Sequence, residues 1–311
     1  MASRPRIRAY RAGDERKIAE LFRACHGREL PLELWRWRYQ RNPAGPPVID
    51  VAESGGRIVA HVATIPVRLS KGSAALRAGL WADLMVHPEA RGLDLFMRLS
   101  ESHTRRAKAT GIRQLYAFPN DNSYPILKRM LGWKTVQEID ALEAPLERLR
   151  LPRPPLPAGW FFEEINEYTL GFNDFWSSVR PAAISIVRDT AWLRWRYLRK
   201  PKYNYGRWAL WNEQGRLAGW IAAKVFGRIG DVMDLWAEPS GPAAGHLMVQ
   251  AAEWFRSQKV RRVSAWASRS SRTLARYRAW GFAPIGPRTH FAAIPFNGER
   301  WDISKGDSDV F

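Results

Sequence analysis

The chain has 311 residues, about twice the ~150 usual for one domain, which points to two domains. Its 46% hydrophobic and 25% charged residues exclude a disordered chain. No run of ~18 apolar residues offers a membrane span, and Met1-Ala2-Ser3-Arg4-Pro5-Arg6 leads into no secretory signal. The single cysteine, Cys25, excludes an internal disulfide or a cysteine metal cluster, so a cytoplasmic protein is expected.

Lys and Arg total 49 and Asp and Glu 30, an excess of +19. Residues 1–150 carry 26 basic and 16 acidic groups, net +10, and the remainder carries 49−26 = 23 and 30−16 = 14, net +9. The excess is spread evenly, so it is no basic tail. It implies attraction to anions such as phosphates, nucleic acid or anionic lipid, or else simple use of arginine as the default surface residue.

In chain order, Ile7 to Tyr10 reads as a strand. Asp14 can cap a helix through Arg23, with Ile18, Leu21 and Phe22 on one face. Leu32 to Arg41 reads as a second helix, ended by Asn42-Pro43. Three strands are expected over Val48 to Glu53, Arg57 to Leu69 and Ala75 to Val86, with Gly55-Gly56 turning the first hairpin. A helix over Leu93 to Thr110 stops at Gly111. A strand over Arg113 to Phe118, a short helix over Ser123 to Leu131 and a last strand over Val136 to Leu142 complete a β-α-α-β-β-β-α-β-α-β order.

The stretch Leu151-Pro152-Arg153-Pro154-Pro155-Leu156-Pro157 cannot continue a helix or a central strand, so it reads as a linker. The expected domains are therefore 1–150 and 151–311. The two sides resemble each other. Arg36-Trp37-Arg38-Tyr39 is answered by Arg194-Trp195-Arg196-Tyr197, Asp83-Leu84 by Asp234-Leu235, and Gly132-Trp133 by Gly281-Phe282. Three collinear pairs at nearly constant spacing suggest an internal duplication. The aromatic–arginine runs could stack on a base or sugar, but such residues more often fill a core.

One run carries chemistry. Val86-His87-Pro88-Glu89-Ala90-Arg91-Gly92-Leu93-Asp94-Leu95-Phe96 follows a strand and opens a long helix. A tight turn at a helix N-terminus points N–H groups outward, and the dipole adds positive potential, which suits an anion. This order and this run resemble the GNAT acyltransferase superfamily, as does Phe118-Pro119-Asn120-Asp121-Asn122 followed by Leu131-Gly132-Trp133. The resemblance spans most of both halves and is strongest over 83–133.

It implies an α/β fold on a mixed sheet, as two tandem acyl-CoA N-acyltransferase domains. It implies that the loop holds the pyrophosphate of acetyl-CoA or another acyl-CoA as co-substrate. Met85, Val86, Arg91, Gly92, Leu93, Asp94, Leu95 and Phe96 would contact it, and Asn120 and Asn122 the pantetheine. Asp94 stands where the family has glycine, and Phe96 where it has glycine or alanine. The usual Glu base and Tyr acid are both missing. Asp83 is the nearest carboxylate on that strand, though its recurrence as Asp234 suggests a structural role, and Tyr124 is the nearest phenol.

The second half lacks the loop Arg and first Gly, and Pro242 removes a donor. It keeps Tyr277 five residues before Phe282, where packing is the preferred reading. No metal, P-loop or serine-hydrolase motif occurs. The resemblance implies transfer of an acyl group to the amine of a small molecule, and the positive charge fits an anionic acceptor such as an amino sugar. A basic nucleic-acid-binding module that kept the fold is the alternative.

Overall fold

The computed structural model describes residues 4–137, 139–268, 271–285 and 290–308, the Arg272 side chain excepted. Its first elements are β1 (Arg6–Ala9), α1 (Asp14–His26), α2 (Leu32–Tyr39), β2 (Val48–Ser54), β3 (Arg57–Lys71) and β4 (Ala74–Val86). There follow α3 (Leu93–Ala109), β5 (Gln114–Ala117), α4 (Tyr124–Met130) and β6 (Lys134–Thr135). The remainder supplies β7 (Ile139–Pro145), β8 (Phe161–Glu164), α5 (Gly171–Val179), β9 (Ser185–Ile186), α6 (Thr190–Leu193), β10 (Tyr205–Trp211), β11 (Leu217–Phe226) and β12 (Ile229–Ala237). Then come α7 (Ala243–Ser257), β13 (Arg262–Ser268), α8 (Arg272–Ala279), β14 (Ala283–Pro284) and β15 (Ala292–Ile294).

These elements form two compact units. The first comprises Met1–Leu69, Ala75–Thr135 and Phe291–Asn297, and the second Ser70–Ala74, Val136–His290 and Gly298–Phe311. The first sheet runs β1-β2-β3-β4-β5-β15-β6 and the second β14-β7-β13-β12-β11-β10-β8. The last strand expected of the first half is therefore in the wrong place. β7 lies in the second unit, paired antiparallel with β13 from Ile139↔Ser268 to Pro145↔Arg262. In exchange, β15 enters the first unit, pairing with β5 at Ala292↔Ala117 and with β6 at Ala292↔Thr135. The boundary expected at 150 thus gives way to a crossing at 135–136 and a return over 291–297. A short apolar strand fits either sheet, so local periodicity does not choose its partner.

The expected elements of the first unit otherwise form. Gly55 and Gly56 both have positive φ, +56° and +73°, as a two-residue hairpin turn requires. α1 begins at Asp14 rather than being capped by it, and the carboxylate instead accepts from the Arg8 guanidinium at 2.6 Å and the Arg11 N–H at 2.8 Å. On α2, Trp35, Trp37 and Tyr39 are buried, so the aromatic run fills a core. Its counterpart, Arg194–Leu198, is wound as a π-helix with Trp195, Arg196 and Tyr197 buried. α3 buries Leu95, Leu99, Ser100, His103 and Ala107. Within that face His103 bridges Thr64 Oγ1 and Asp50, each at 2.7 Å, so both of its ring nitrogens are satisfied.

Candidate active site

In the first unit β4 and β5 run parallel, in register from Ala78↔Gln114 to Leu80↔Tyr116. The ladder stops there because β4 bends. Asp83 takes a left-handed φ of +51°, and its carbonyl faces His61 Nδ1 at 2.7 Å. A non-glycine residue in that conformation must be held by its surroundings. Here the Asp83 carboxylate accepts from Arg38 at 2.7 Å and from the Tyr39 hydroxyl at 2.5 Å. Burial alone would raise the Asp83 carboxyl, but Arg38, the Tyr39 hydroxyl and His61 hold it below the ordinary carboxylate range.

Past the bend β4 leaves β5, and a cleft of ≈ 710 Å³ opens. Leu84, Met85 and Val86 form one wall, and Asn120, Asn122, Ser123 and Ile126 another. Arg91, Gly92, Leu93 and Phe96 lie at the start of α3, and Cys25 and His26 at the end of α1. The first intrahelical bond of α3 is Phe96 N–H to Gly92 O at 3.3 Å, so the preceding N–H groups of the first turn have no partner inside the helix. Those donors and the exposed Arg91 give one end of the cleft a positive potential.

Eight of the ten expected cofactor contacts are thus brought together: Met85, Val86, Arg91, Gly92, Leu93, Phe96, Asn120 and Asn122. Two side chains are not. Asp94 turns outward and pairs with Arg4 at 2.8 Å and Arg98 at 3.3 Å, its side chain 64% exposed. Leu95 points the other way and is buried in the core of the unit. Both follow from helix geometry, since successive residues of a first turn project about 100° apart. The two Asn side chains differ. Asn120 Oδ1 accepts from the N–H groups of Asn122 and Ser123 at 3.1 and 2.9 Å, turning the chain into α4. The Asn122 side chain has no hydrogen-bond partner among the described residues and faces the cleft.

Neither expected proton-transfer residue lines the cleft. Asp83 is held by Arg38 and Tyr39, and the Tyr124 hydroxyl is hydrogen-bonded to Thr135. Cys25 and His26 were the residues sequence reasoning passed over. Continuing the face of Ile18, Leu21 and Phe22 by three and four residues reaches both. Cys25 Sγ lies 3.4 Å from Val86 O, and burial raises its thiol despite the nearby Arg91.

The second unit repeats the arrangement and closes it. β12 and β13 run parallel from Ile229↔Arg262 to Val232↔Ala265 and then part, beside a register shift on β11–β12. Asp234 accepts from the Tyr197 hydroxyl, as Asp83 does from Tyr39, and also from Arg188 at 3.0 Å and Ser304 at 2.6 Å. The space beyond measures only ≈ 30 Å³, room for about one water, because Asp302, Ile303 and Ser304 lie in it. Gly306 sits against Asp234 and Tyr197, where a Cβ would come within 2.4 Å of each. Lys305 Nζ bonds Asp231 on β12 and reaches Ser264 on β13 at 2.7 Å. At α7, Ala243 to His246 are buried, and Pro152 occupies the space a side chain at Gly245 would need. Tyr277 is buried against Trp280 and Phe282.

A splayed parallel pair with a helix N-terminus at its mouth can hold an extended ligand that has an anionic end. Residues 6–136 match the model of the acetyltransferase (GNAT) domain family. A probable N-acyltransferase from Enterococcus faecalis V583 is similar over 94% of this chain and 72% of its own, at 13% identity and a TM-score of 0.70. A GCN5-related N-acetyltransferase from Kribbella flavida is similar over 93% and 71%, at 12% identity and a TM-score of 0.69. A tandem GNAT protein from the clavulanic acid biosynthesis pathway is similar over 94% and 100%, at 17% identity and a TM-score of 0.64. No curated protein matches the chain in sequence. Residues 6–136 thus match a GNAT acetyltransferase domain, and the chain shares the fold of solved GNAT structures, a tandem one among them. No helix among the described residues is long and apolar enough to cross a membrane.

Proposed function

We propose that the protein transfers the acyl group of acetyl-CoA, or of another acyl-CoA, to the amine of a small acceptor, and that the first unit alone carries the reaction. The observation behind this reading is the contrast between the two clefts, ≈ 710 Å³ in the first unit and ≈ 30 Å³ in the second. The pyrophosphate fits the positive end at Arg91, Gly92 and Leu93, where backbone donors and a guanidinium meet an anion. The pantetheine fits the edge Leu84 to Val86, which the splay leaves without a neighbouring strand, and the free Asn122 amide is placed to bond its amide groups. The thioester then lies at the far end, toward the Asp83 bend. The described lining carries Arg91 and His26 but no carboxylate, which favours an anionic ligand over a cationic one. An anionic acceptor such as an amino sugar derivative is compatible with the same field. The test is release of CoA thiol from acetyl-CoA across a panel of amines, amino sugars included. Release by the wild type that is lost on Arg91→Glu supports the reading; release unaffected by that change contradicts it.

A further inference from the structure

His26 is the last residue of α1 and faces the same cleft as Leu84, Met85 and Val86. Its imidazole nitrogens have no hydrogen-bond partner among the described residues, and its one ring neighbour is Phe22, with centroids 4.5 Å apart. We propose that His26 is the general base of the acyl transfer, taking the proton from the attacking amine. The proposal rests on the acyl-CoA reading above, which puts the thioester toward the Asp83 bend; His26 lines the same cleft, near enough to Asp83 for that charge to act on its ring.

Three observations support it. First, the carboxylate and phenol that the sequence offered are engaged elsewhere, Asp83 with Arg38 and Tyr39, and Tyr124 with Thr135. Second, the remaining titratable groups of the described lining are Cys25 and Arg91. A guanidinium stays protonated and takes no proton, and burial raises the Cys25 thiol, so it stays protonated at neutral pH. Third, burial keeps His26 neutral near pH 7. Burial lowers it below its ordinary 6.5, Asp83 on β4 pulls it up, and Arg28 just past α1 lowers it again, for a net decrease. A base must be unprotonated at the working pH to accept a proton.

The step balances within the site. The amine nitrogen attacks the thioester carbonyl carbon and gives one proton to a ring nitrogen of His26. The carbon–sulfur bond breaks, and the departing thiolate takes that proton from the imidazolium. An amide and a free thiol result, and His26 is regenerated neutral.

Water replaces the unknown amine in the experiment. Acetyl-CoA hydrolysis is followed by thiol release from pH 5 to 9 for the wild type, His26→Gln and His26→Ala, and acetyl-CoA affinity is measured by calorimetry for each. The expected result is affinity within about twofold in all three. Hydrolysis in both variants falls ~100-fold, the lower end of what general-base catalysis supplies. The decline of the wild-type rate below the ordinary imidazole range disappears in the variants, and added imidazole restores part of the rate in His26→Ala. A wild type that binds acetyl-CoA but hydrolyses it no faster than His26→Gln, or a variant that keeps the same acid limb, overturns the proposal. Failure of all three proteins to bind acetyl-CoA overturns the acyl-CoA reading itself, and calorimetry separates that outcome from the first.

Discussion

Asp83→Asn isolates what holds the bend in β4. Asparagine keeps the left-handed backbone accessible and retains an acceptor for Tyr39, but it removes the charge opposite Arg38. The Arg38 and Asp83 side chains are 13% and 14% exposed and 2.7 Å apart. Removing one partner of a nearly buried pair typically costs about 3–5 kcal/mol, chiefly by leaving the other charge uncompensated. Because Asn preserves the shape and one hydrogen bond, the lower end, ~3 kcal/mol, is expected. At roughly 3–4 °C per kcal/mol for a unit of this size, the first melting transition should fall ~10 °C. Asp83→Ala should lose a further ~1 kcal/mol to left-handed strain.

The pH dependence fixes the cause. The folded-state carboxyl is depressed, so its stabilisation is complete above the unfolded value of ~3.9 and disappears as pH falls through the folded value. Urea unfolding of both proteins at several pH values from 7 to 3 should show the gap closing toward the acid end. Below the wild-type melting transition, Asp83→Asn should bind acetyl-CoA about as well as the wild type, since the carboxylate does not line the cleft. An equally stable variant, a gap independent of pH, or a folded variant that no longer binds would refute this account of Asp83.

Asp94→Gly should leave acetyl-CoA affinity within about twofold, because the carboxylate already points away toward Arg4 and Arg98; a tenfold gain by calorimetry would place it in the loop. Cleavage within 152–157 should give two fragments that stay together through gel filtration, because β7 precedes the cut and β15 follows it; separation into two folded halves would contradict the strand exchange. Burial raises the Asp302 carboxyl to about 6, so the folded state binds the proton more tightly than the unfolded one and is destabilised as pH rises through that value. Asp302→Asn should therefore stabilise the second unit at pH 7.5 by on the order of 1–2 kcal/mol after solvent screening and have little effect near pH 4, read from denaturant midpoints.

The sequence made the local parts of this molecule readable. The strands β1 to β5, α3 and the run from Val86 to Phe96 follow from alternation, helical spacing and start signals, all local in the chain. What it hid depends on partners far along the chain. Asp83 looks like a spare carboxylate until Arg38, 45 residues away, is seen to bind it. Asp94 looks hostile to phosphate until Arg4, 90 residues away, draws it outward. The exchange of β7 and β15 is invisible because each strand has the same local pattern in either sheet. Filling of the second cleft by residues 302–304 is tertiary, and no motif announces it. Cys25 and His26 were within reach, one turn beyond the face already read on α1.

The most direct measurement is calorimetric titration of the intact chain with acetyl-CoA, repeated on Arg91→Glu. One molecule bound per chain, with affinity falling at least tenfold in the variant, is the predicted result, because of the two clefts described the first is the roomy one and Arg91 lies at its proposed phosphate end. Two molecules bound per chain, or one whose affinity ignores Arg91→Glu, would contradict the assignment of the acyl-CoA site to the first unit.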